Sequence, residues 1–92
     1  MIRSFRDQAT ERVWRGEFVK RFSGIEDRAR RKLDMLHQAQ NLGDLRAPPA
    51  NRLEALRGDR KGQHAIRIND QWRICFVWTR EGPTDVEIVD YH

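Results

Sequence analysis

The stretch HAIRINDQWRICFVW (residues 64–78) decides the fold of this chain. Its first five residues alternate in polarity, which is typical of a strand with one buried face. Asn69 and Asp70 then favour a tight turn. The second half has an apolar residue at every other position: Trp72, Ile74, Phe76 and Trp78. The stretch therefore predicts a β-hairpin whose second strand presents an apolar face to the core.

Two helices are predicted before this hairpin. Asp7 is expected to cap a helix that runs to about Gly16, with Ala9 and Val13 on its buried face. A longer helix is predicted after Gly24. Its apolar stripe at helical spacing consists of Ile25, Ala29, Leu33 and Leu36. The core anchors expected between the helices are Phe18, Val19 and Phe22.

Three further strands are predicted around these elements: IRSF (2–5), RLEAL (52–56) and VEIVDYH (86–92). The order β-α-α-β-β-β(-β) indicates an α+β fold, with a helical hairpin packed on one face of a small, mainly antiparallel sheet. At this length, residues 1–92 are expected to form a single domain. Since the apolar face should meet the helices, the opposite face is expected to be open and to carry Arg73.

The charges are unevenly distributed along the chain. All 18 Lys and Arg residues lie in residues 1–80, and only acidic residues follow Arg80, although the net charge is +4. An Arg-rich basic domain indicates a phosphate-bearing partner, because the guanidinium group binds phosphate through two parallel hydrogen bonds. A solvated charged surface remains the alternative. The same two interpretations apply to the basic run on the second helix: Arg28, Arg30, Arg31 and Lys32.

Several classes of protein are disfavoured by what the sequence lacks. No apolar run approaches the roughly 20 residues needed to span a membrane, so no membrane association is expected. Cys75 is the only cysteine and the three histidines are scattered, so neither a disulfide framework nor a metal-ligand spacing is present. A cytoplasmic protein is expected.

The sequence closes on Asp90, Tyr91 and His92, three groups that handle protons. A ribonuclease that uses no metal needs a base, an acid and a cation around the phosphate, and Arg73 could supply the cation. Exposed terminal groups without a role are the alternative. Strict alternation also separates these residues, since it places Asp90 and His92 on one side of the strand and Tyr91 on the other. Nearby phosphate contacts are predicted at the charged turn that carries Arg57, Arg60 and Lys61.

The segments LEALRGDRKGQHAIRINDQWRICFVW (53–78), VEIVDYH (86–92) and MIRSF (1–5) together resemble HigB-type toxins of the RelE/ParE superfamily. APPANRLEALRGDRKGQ (47–63) is especially similar to the GraT branch. The resemblance implies a RelE-like fold and the toxin half of a type II toxin–antitoxin pair. It also implies a ribosome-dependent endoribonuclease that cuts mRNA in the decoding site by metal-independent 2′-OH attack, without a cofactor.

The implied partners are a HigA-type helix-turn-helix antitoxin, the ribosome and mRNA, with DNA reached only through the antitoxin. The implied roles are proton transfer for Asp90 and His92, positioning for Tyr91, and stabilisation of the scissile phosphate for Arg73. Glu54 departs from the family pattern, which has a histidine in that strand. It could act as the base, hold Arg57 or Arg73, or weaken cleavage by repelling the phosphate. A toxin of the same fold that binds DNA gyrase or the ribosome without cutting RNA remains the alternative.

Overall fold

The hairpin of residues 64–79 is at the centre of a four-stranded antiparallel sheet in the computed structural model, which describes residues 1–90. The helices are α1 (Gln8–Trp14) and α2 (Glu26–Gln38). The strands are β1 (Glu54–Ala55), β2 (His64–Arg67), β3 (Trp72–Thr79) and β4 (Gly82–Asp90). Short 3₁₀ turns occur at Lys20–Phe22, Leu42–Arg46, Pro49–Asn51 and Gly58–Arg60. The α+β fold with two helices on a mainly antiparallel sheet is confirmed.

The sheet order is β1-β2-β3-β4, so each strand pairs with the next one along the chain. Ile74 of β3 lies opposite Ile66 of β2 and opposite Ile88 of β4. Directly opposed residues share a face, so these three isoleucines form a buried row beneath the helices. The predicted apolar face of β3 is confirmed at Trp72, Ile74 and Phe76, which are buried.

The helices form where the sequence predicts them. The Asp7 carboxylate accepts a hydrogen bond from the Thr10 backbone N–H at 2.7 Å and so caps α1. On α2, Ala29, Leu33 and Leu36 are fully buried against the sheet, as their spacing predicts.

Phe18 was predicted as a core anchor, and this prediction is wrong because its side chain is 63% exposed. Phe22, four residues later, fills the core instead and packs edge-on against Trp72, with ring centroids 5.2 Å apart. Val19 is buried as predicted. The Phe22 ring thus fills the space between the α1–α2 connection and β3.

The predicted opening strand is reduced to a single parallel bridge between Phe5 and Val86. Hydrogen bonds extend this contact: the Arg3 N–H donates to the Pro83 carbonyl and the Arg6 N–H to the Val86 carbonyl, at 2.8 and 2.9 Å. Residues 2–6 therefore cover the outer edge of β4. The predicted strand at 52–56 is also shorter, because Arg52 adopts left-handed backbone angles (φ 47°) that interrupt an extended chain.

The sheet face away from the helices, called the far face here, was expected to be open. This expectation is wrong at its centre. Ala65, Cys75 and Val89 form a second buried cluster there, and Leu56 packs against it. Long charged side chains flank this small apolar floor. Among the described residues, no helix is long and apolar enough to cross a membrane.

Candidate active site on the far face

One row of residues crosses all four strands on the far face. Glu54 of β1 lies opposite Ala65 of β2, Ala65 lies opposite Cys75 of β3, and Cys75 lies opposite Glu87 of β4. Opposed residues project to the same side of a sheet. The row therefore has a carboxylate at each end and the buried floor between them.

Charged groups surround the Cys75 thiol at this floor. Burial raises the pKa of Cys75 to about 11, and the charges of Arg60, Glu87, Glu54 and Arg73 shift it further in opposing directions. The two guanidinium groups lower the pKa and the two carboxylates raise it. Two carboxylates and two guanidinium groups thus lie near the same sulfur atom. The register places Glu54 and Arg73 on the face of Cys75, and Arg60 reaches that face through its hydrogen bond to Glu87.

Arg73 is held at the turn between β2 and β3. Its side chain is half-buried, and its guanidinium donates hydrogen bonds to the carbonyls of Asn69 and Trp72. Its cross-strand neighbours are Arg67 and Val89. These contacts fix the guanidinium group near one end of the β3–β4 ladder and leave donors for a ligand, because guanidinium has five N–H groups.

Asp90 lies at the end of β4, opposite Trp72, and is exposed. Its carboxylate accepts a hydrogen bond from the Gln71 side-chain amide at 3.1 Å. The register assigns Asp90 to the helix side with Trp72, whereas Arg73 shares the far face with Val89. The two predicted site residues therefore occupy adjacent rungs on opposite sides. The predicted site residues Tyr91 and His92 lie outside the described residues.

The predicted phosphate contacts differ in their surroundings. Arg57 and Lys61 are exposed beside the Gly58–Arg60 turn. Arg60 is half-buried, and it donates hydrogen bonds to the side chains of Gln63 and Glu87 at 3.1 and 3.2 Å. Arg60 is therefore partly neutralised by Glu87, whereas the other two cations project into solvent.

Sequence reasoning did not identify Glu87 or Gln71. The Glu87 side chain is only 19% exposed and contacts Arg60, with Arg6 at 3.7 Å. The sequence signal that could have revealed it is the alternation of β4, which places Glu87 between the inward-facing Val86 and Ile88. Gln71 belongs to the hairpin turn, where polar residues are ordinary, so nothing marked it.

A cavity of about 250 Å³ adjoins Glu54 at the free side of β1. Leu42, Leu53 and Arg46 line it together with His64. The His64 ring stacks on Phe76, and its buried Nδ1 has no hydrogen-bond partner among the described residues. Within residues 1–90, no group of three or more His, Cys, Asp or Glu side chains could hold a metal ion.

The complete arrangement of helices and sheet recurs in a known structure. It matches a chain in the YoeB–YefM complex from Staphylococcus aureus with a TM-score of 0.64, covering 100% of this chain and 95% of that one at 20% identity. The likeness defines the class as an α+β, RelE-like fold.

The sequence narrows the class to one family. Residues 3–92 match the family described as RelE-like toxins of the type II toxin–antitoxin system HigB, and the chain belongs to that family. It is 41% identical to Toxin HigB-1 of Vibrio cholerae serotype O1 over 80 residues. This aligned region covers 85% of this chain and 84% of the relative. An uncharacterized protein of Haemophilus influenzae is 46% identical over 48 residues, covering 52% and 48% of the two chains.

Family membership confirms the resemblance drawn from the segments 1–5, 53–78 and 86–92. The protein is a toxin of a type II toxin–antitoxin pair, and an antitoxin is therefore its partner.

Proposed function

We propose that this toxin is an endoribonuclease that cuts mRNA in the decoding site of the ribosome, by metal-independent attack of a ribose 2′-OH on the neighbouring phosphate. The observation that carries the proposal is the position of Arg73 and Asp90 at one end of the β3–β4 ladder, where the Asn69–Gln71 turn contacts both side chains. Carboxylates beside guanidinium groups supply what this reaction needs, which is proton transfer next to positive charge.

In the proposed reaction, a base removes the 2′-OH proton while the 2′-oxygen bonds to phosphorus. The bond from phosphorus to the 5′-oxygen breaks, and an acid protonates that oxygen. The products are a 2′,3′-cyclic phosphate and a free 5′-OH. Asp90 and His92 exchange the protons, Tyr91 positions the nucleotide, and Arg73 stabilises the charge that develops on the phosphate.

The register constrains where the scissile phosphate can bind. Asp90 and Arg73 project to opposite sides of the sheet on adjacent rungs. Both can reach one phosphate only at the end of the β3–β4 ladder, where the sheet no longer separates the two sides. We therefore place the scissile phosphate at that end, next to the Asn69–Gln71 turn that contacts both side chains.

Glu54 lies on β1, two strands away from Arg73 on the far face, in the strand where the family pattern has a histidine. We assign it an electrostatic role: its carboxylate holds the cationic side chains of the far face in place, and the 2′-OH proton is left to Asp90, at the end of the β3–β4 ladder, and to His92. Arg57 and Lys61, which are exposed, contact flanking phosphates. Arg60, held by Glu87, stiffens the turn between them and contributes positive charge.

Primer extension on a defined message, translated in a reconstituted system, tests the proposal. Wild type is compared with His92→Ala and Asp90→Ala, with and without ribosomes. Cuts that need ribosomes and are lost in both variants are expected. Cuts without ribosomes would make the protein a free ribonuclease. No cuts, with growth still arrested in cells, would favour a toxin that acts by binding gyrase or the ribosome.

A further inference from the structure

A basic cavity of about 360 Å³ lies between α2 and the end of β2. Arg28, Arg31, Lys32 and Arg67 supply its positive charge, and Met35 and Ile68 form apolar parts of its wall. No carboxylate is among its lining residues in the described part of the chain. This cavity is called the α2 pocket below.

The structure divides the basic run of α2 into two parts. Arg30 turns away from the pocket, donating hydrogen bonds to the Val13 carbonyl at 2.9 Å and the Asp27 carboxylate at 3.0 Å. Arg28 and Arg31 line the pocket and are exposed. The run is therefore not a uniformly solvated helix face, since part of it is directed into one concave site.

The inner wall of the α2 pocket is built around a buried amide. The Lys32 ammonium donates a hydrogen bond to the Asn51 side-chain oxygen. Asn51 is fully buried and donates to the carbonyls of Leu45 and Ala47 at 3.2 and 3.3 Å. Burial lowers the pKa of Lys32, and the charges of Arg28, Arg31 and Arg67 add to this effect. A bound anion would relieve that repulsion.

Arg67 connects the α2 pocket to the candidate active site. It lies directly opposite Arg73 in the β2–β3 register. Its buried Nε has no hydrogen-bond partner among the described residues, and its terminal nitrogen pairs with Asp70, whose side chain is 99% exposed. Asp70, which is itself in solvent, therefore neutralises the Arg67 guanidinium group. Without Asp70 this group would be available to a ligand.

We propose that the α2 pocket binds a backbone phosphate of single-stranded RNA, as a second anchor one strand away from Arg73. A carboxylate of a protein partner would need fewer than the four cations that line this pocket. A phosphate suits them better, because Arg forms paired hydrogen bonds with phosphate. The continuity from Arg73 through Arg67 gives a strand bound at the first site a path to the second. The choice of RNA as the source of the phosphate rests on the proposed function.

The probe is a fluorescently labelled 2′-O-methyl RNA oligonucleotide, which cannot be cut because its 2′-oxygen is blocked. Fluorescence anisotropy measures its affinity for Arg28→Gln/Arg31→Gln and for the charge-matched control Arg12→Gln/Arg15→Gln. The control side chains are exposed at the C-terminal end of α1, outside the pocket. We expect the pocket variant to bind about tenfold more weakly, with a salt slope reduced by about 0.7 for one lost phosphate contact. We expect the control to change much less.

Asp70→Asn supplies a test in the opposite direction. If Asp70 competes with phosphate for Arg67, its removal tightens binding several-fold, and it does so only while Arg67 is present. Asp85→Asn is the matched control, because Asp85 is also exposed and lies on β4 outside the pocket. If Asp70→Asn and Asp85→Asn raise the RNA affinity equally, the change in net charge alone explains the result, and the inference is overturned.

Equal losses of RNA affinity in the two arginine double variants would also overturn the inference. So would a pocket variant that binds RNA normally but binds the antitoxin more weakly, because the pocket would then be a protein contact. Failure of the proposed function is a separate outcome. If wild type binds the oligonucleotide through the pocket but never cuts messages, the pocket stands and the nuclease proposal fails. If wild type cuts and the pocket variant binds normally, only the pocket inference fails.

Discussion

Arg67 and Arg73 face each other across two strands, an arrangement that is unfavourable for like charges. Asp70 offsets it from the adjoining turn. The hydrogen bond from Arg67 lowers the pKa of Asp70, and the charges of Arg67, Arg52 and Arg73 lower it further. Asp70 consequently stays ionised to a lower pH than an ordinary aspartate and keeps its ion pair with Arg67 there.

Glu54 gives the sharpest residue-scale prediction about activity. A general base contributes about 10²-fold to cleavage, and Glu54→Gln removes only a charge beside the cations of the far face, so it should slow single-turnover cutting by much less than that factor. A full loss of about 10²-fold would instead make Glu54 the base. Glu81→Gln, an exposed substitution in the β3–β4 turn, should leave the rate unchanged. Faster cutting by Glu54→Gln would mean that the carboxylate only repels the phosphate.

The raised pKa of Cys75 predicts how the free energy of unfolding depends on pH. Burial raises its pKa to about 11 in the folded protein, from 9.0 in the unfolded chain. Between these values only the folded state keeps the thiol proton, so the free energy of unfolding should fall as pH rises through this interval. Urea unfolding at pH 8.5 and 10.5 should show a larger fall for wild type than for Cys75→Ala. Identical falls would contradict the assignment.

At the residue scale, the identity of the charged site groups could be predicted from the sequence, but their partners could not. Alternation assigns Glu87 to a face without indicating that Arg60 reaches across two strands to contact it. In the same way, Cys75 could be placed on the far face, whereas its complete burial depends on the long side chains around it. A contact that a long side chain makes across a sheet produces no periodic pattern in the sequence, so it could not be predicted.

At the scale of elements, a buried hydroxyl group joins α1 to β4. The Ile88 backbone N–H donates to Thr10 Oγ1 at 2.9 Å, and both residues are fully buried. This bond lies two residues before Asp90. The position of α1 and the direction in which β4 leaves the sheet are thereby coupled.

Thr10→Val should therefore destabilise the protein by about 1–3 kcal/mol, because it leaves the Ile88 N–H buried without an acceptor. Thr10→Ser keeps the hydroxyl group and is the matched control. Hydrogen exchange followed by NMR should show a protected Ile88 amide in the serine variant and a less protected one in the valine variant. Equal protection in both variants would exclude this role for the hydroxyl group.

The elements themselves were largely predictable, since their periodic patterns agree with their burial. The stripe of α2 and the alternation of β3 are examples. The predicted strands at 2–5 and 52–56 shortened because local backbone geometry and pairing at an edge decide strand ends, and neither has a pattern in so few residues. Phe18 and Phe22 were equivalent by composition, and only packing against Trp72 distinguishes them.

At the scale of the whole molecule, we propose that the chain folds as one domain, because α1, α2 and the sheet share the main apolar core. Trp14 lies in α1, whereas Trp72 and Trp78 lie in β3, so tryptophan fluorescence reports on helix and sheet together. Urea unfolding followed by fluorescence and by far-UV circular dichroism should give coincident single transitions. Two separated transitions would divide the chain into independent units.

The contact between residues 2–6 and β4 joins segments separated by about 80 positions of sequence. A chain growing on the ribosome makes the first segment about 80 residues before its pairing partner. The outer edge of β4 can therefore be closed only after β4 itself has been made. A nascent toxin consequently acquires its covered sheet edge only after all four strands have been synthesised, and until then its first residues wait without their partner.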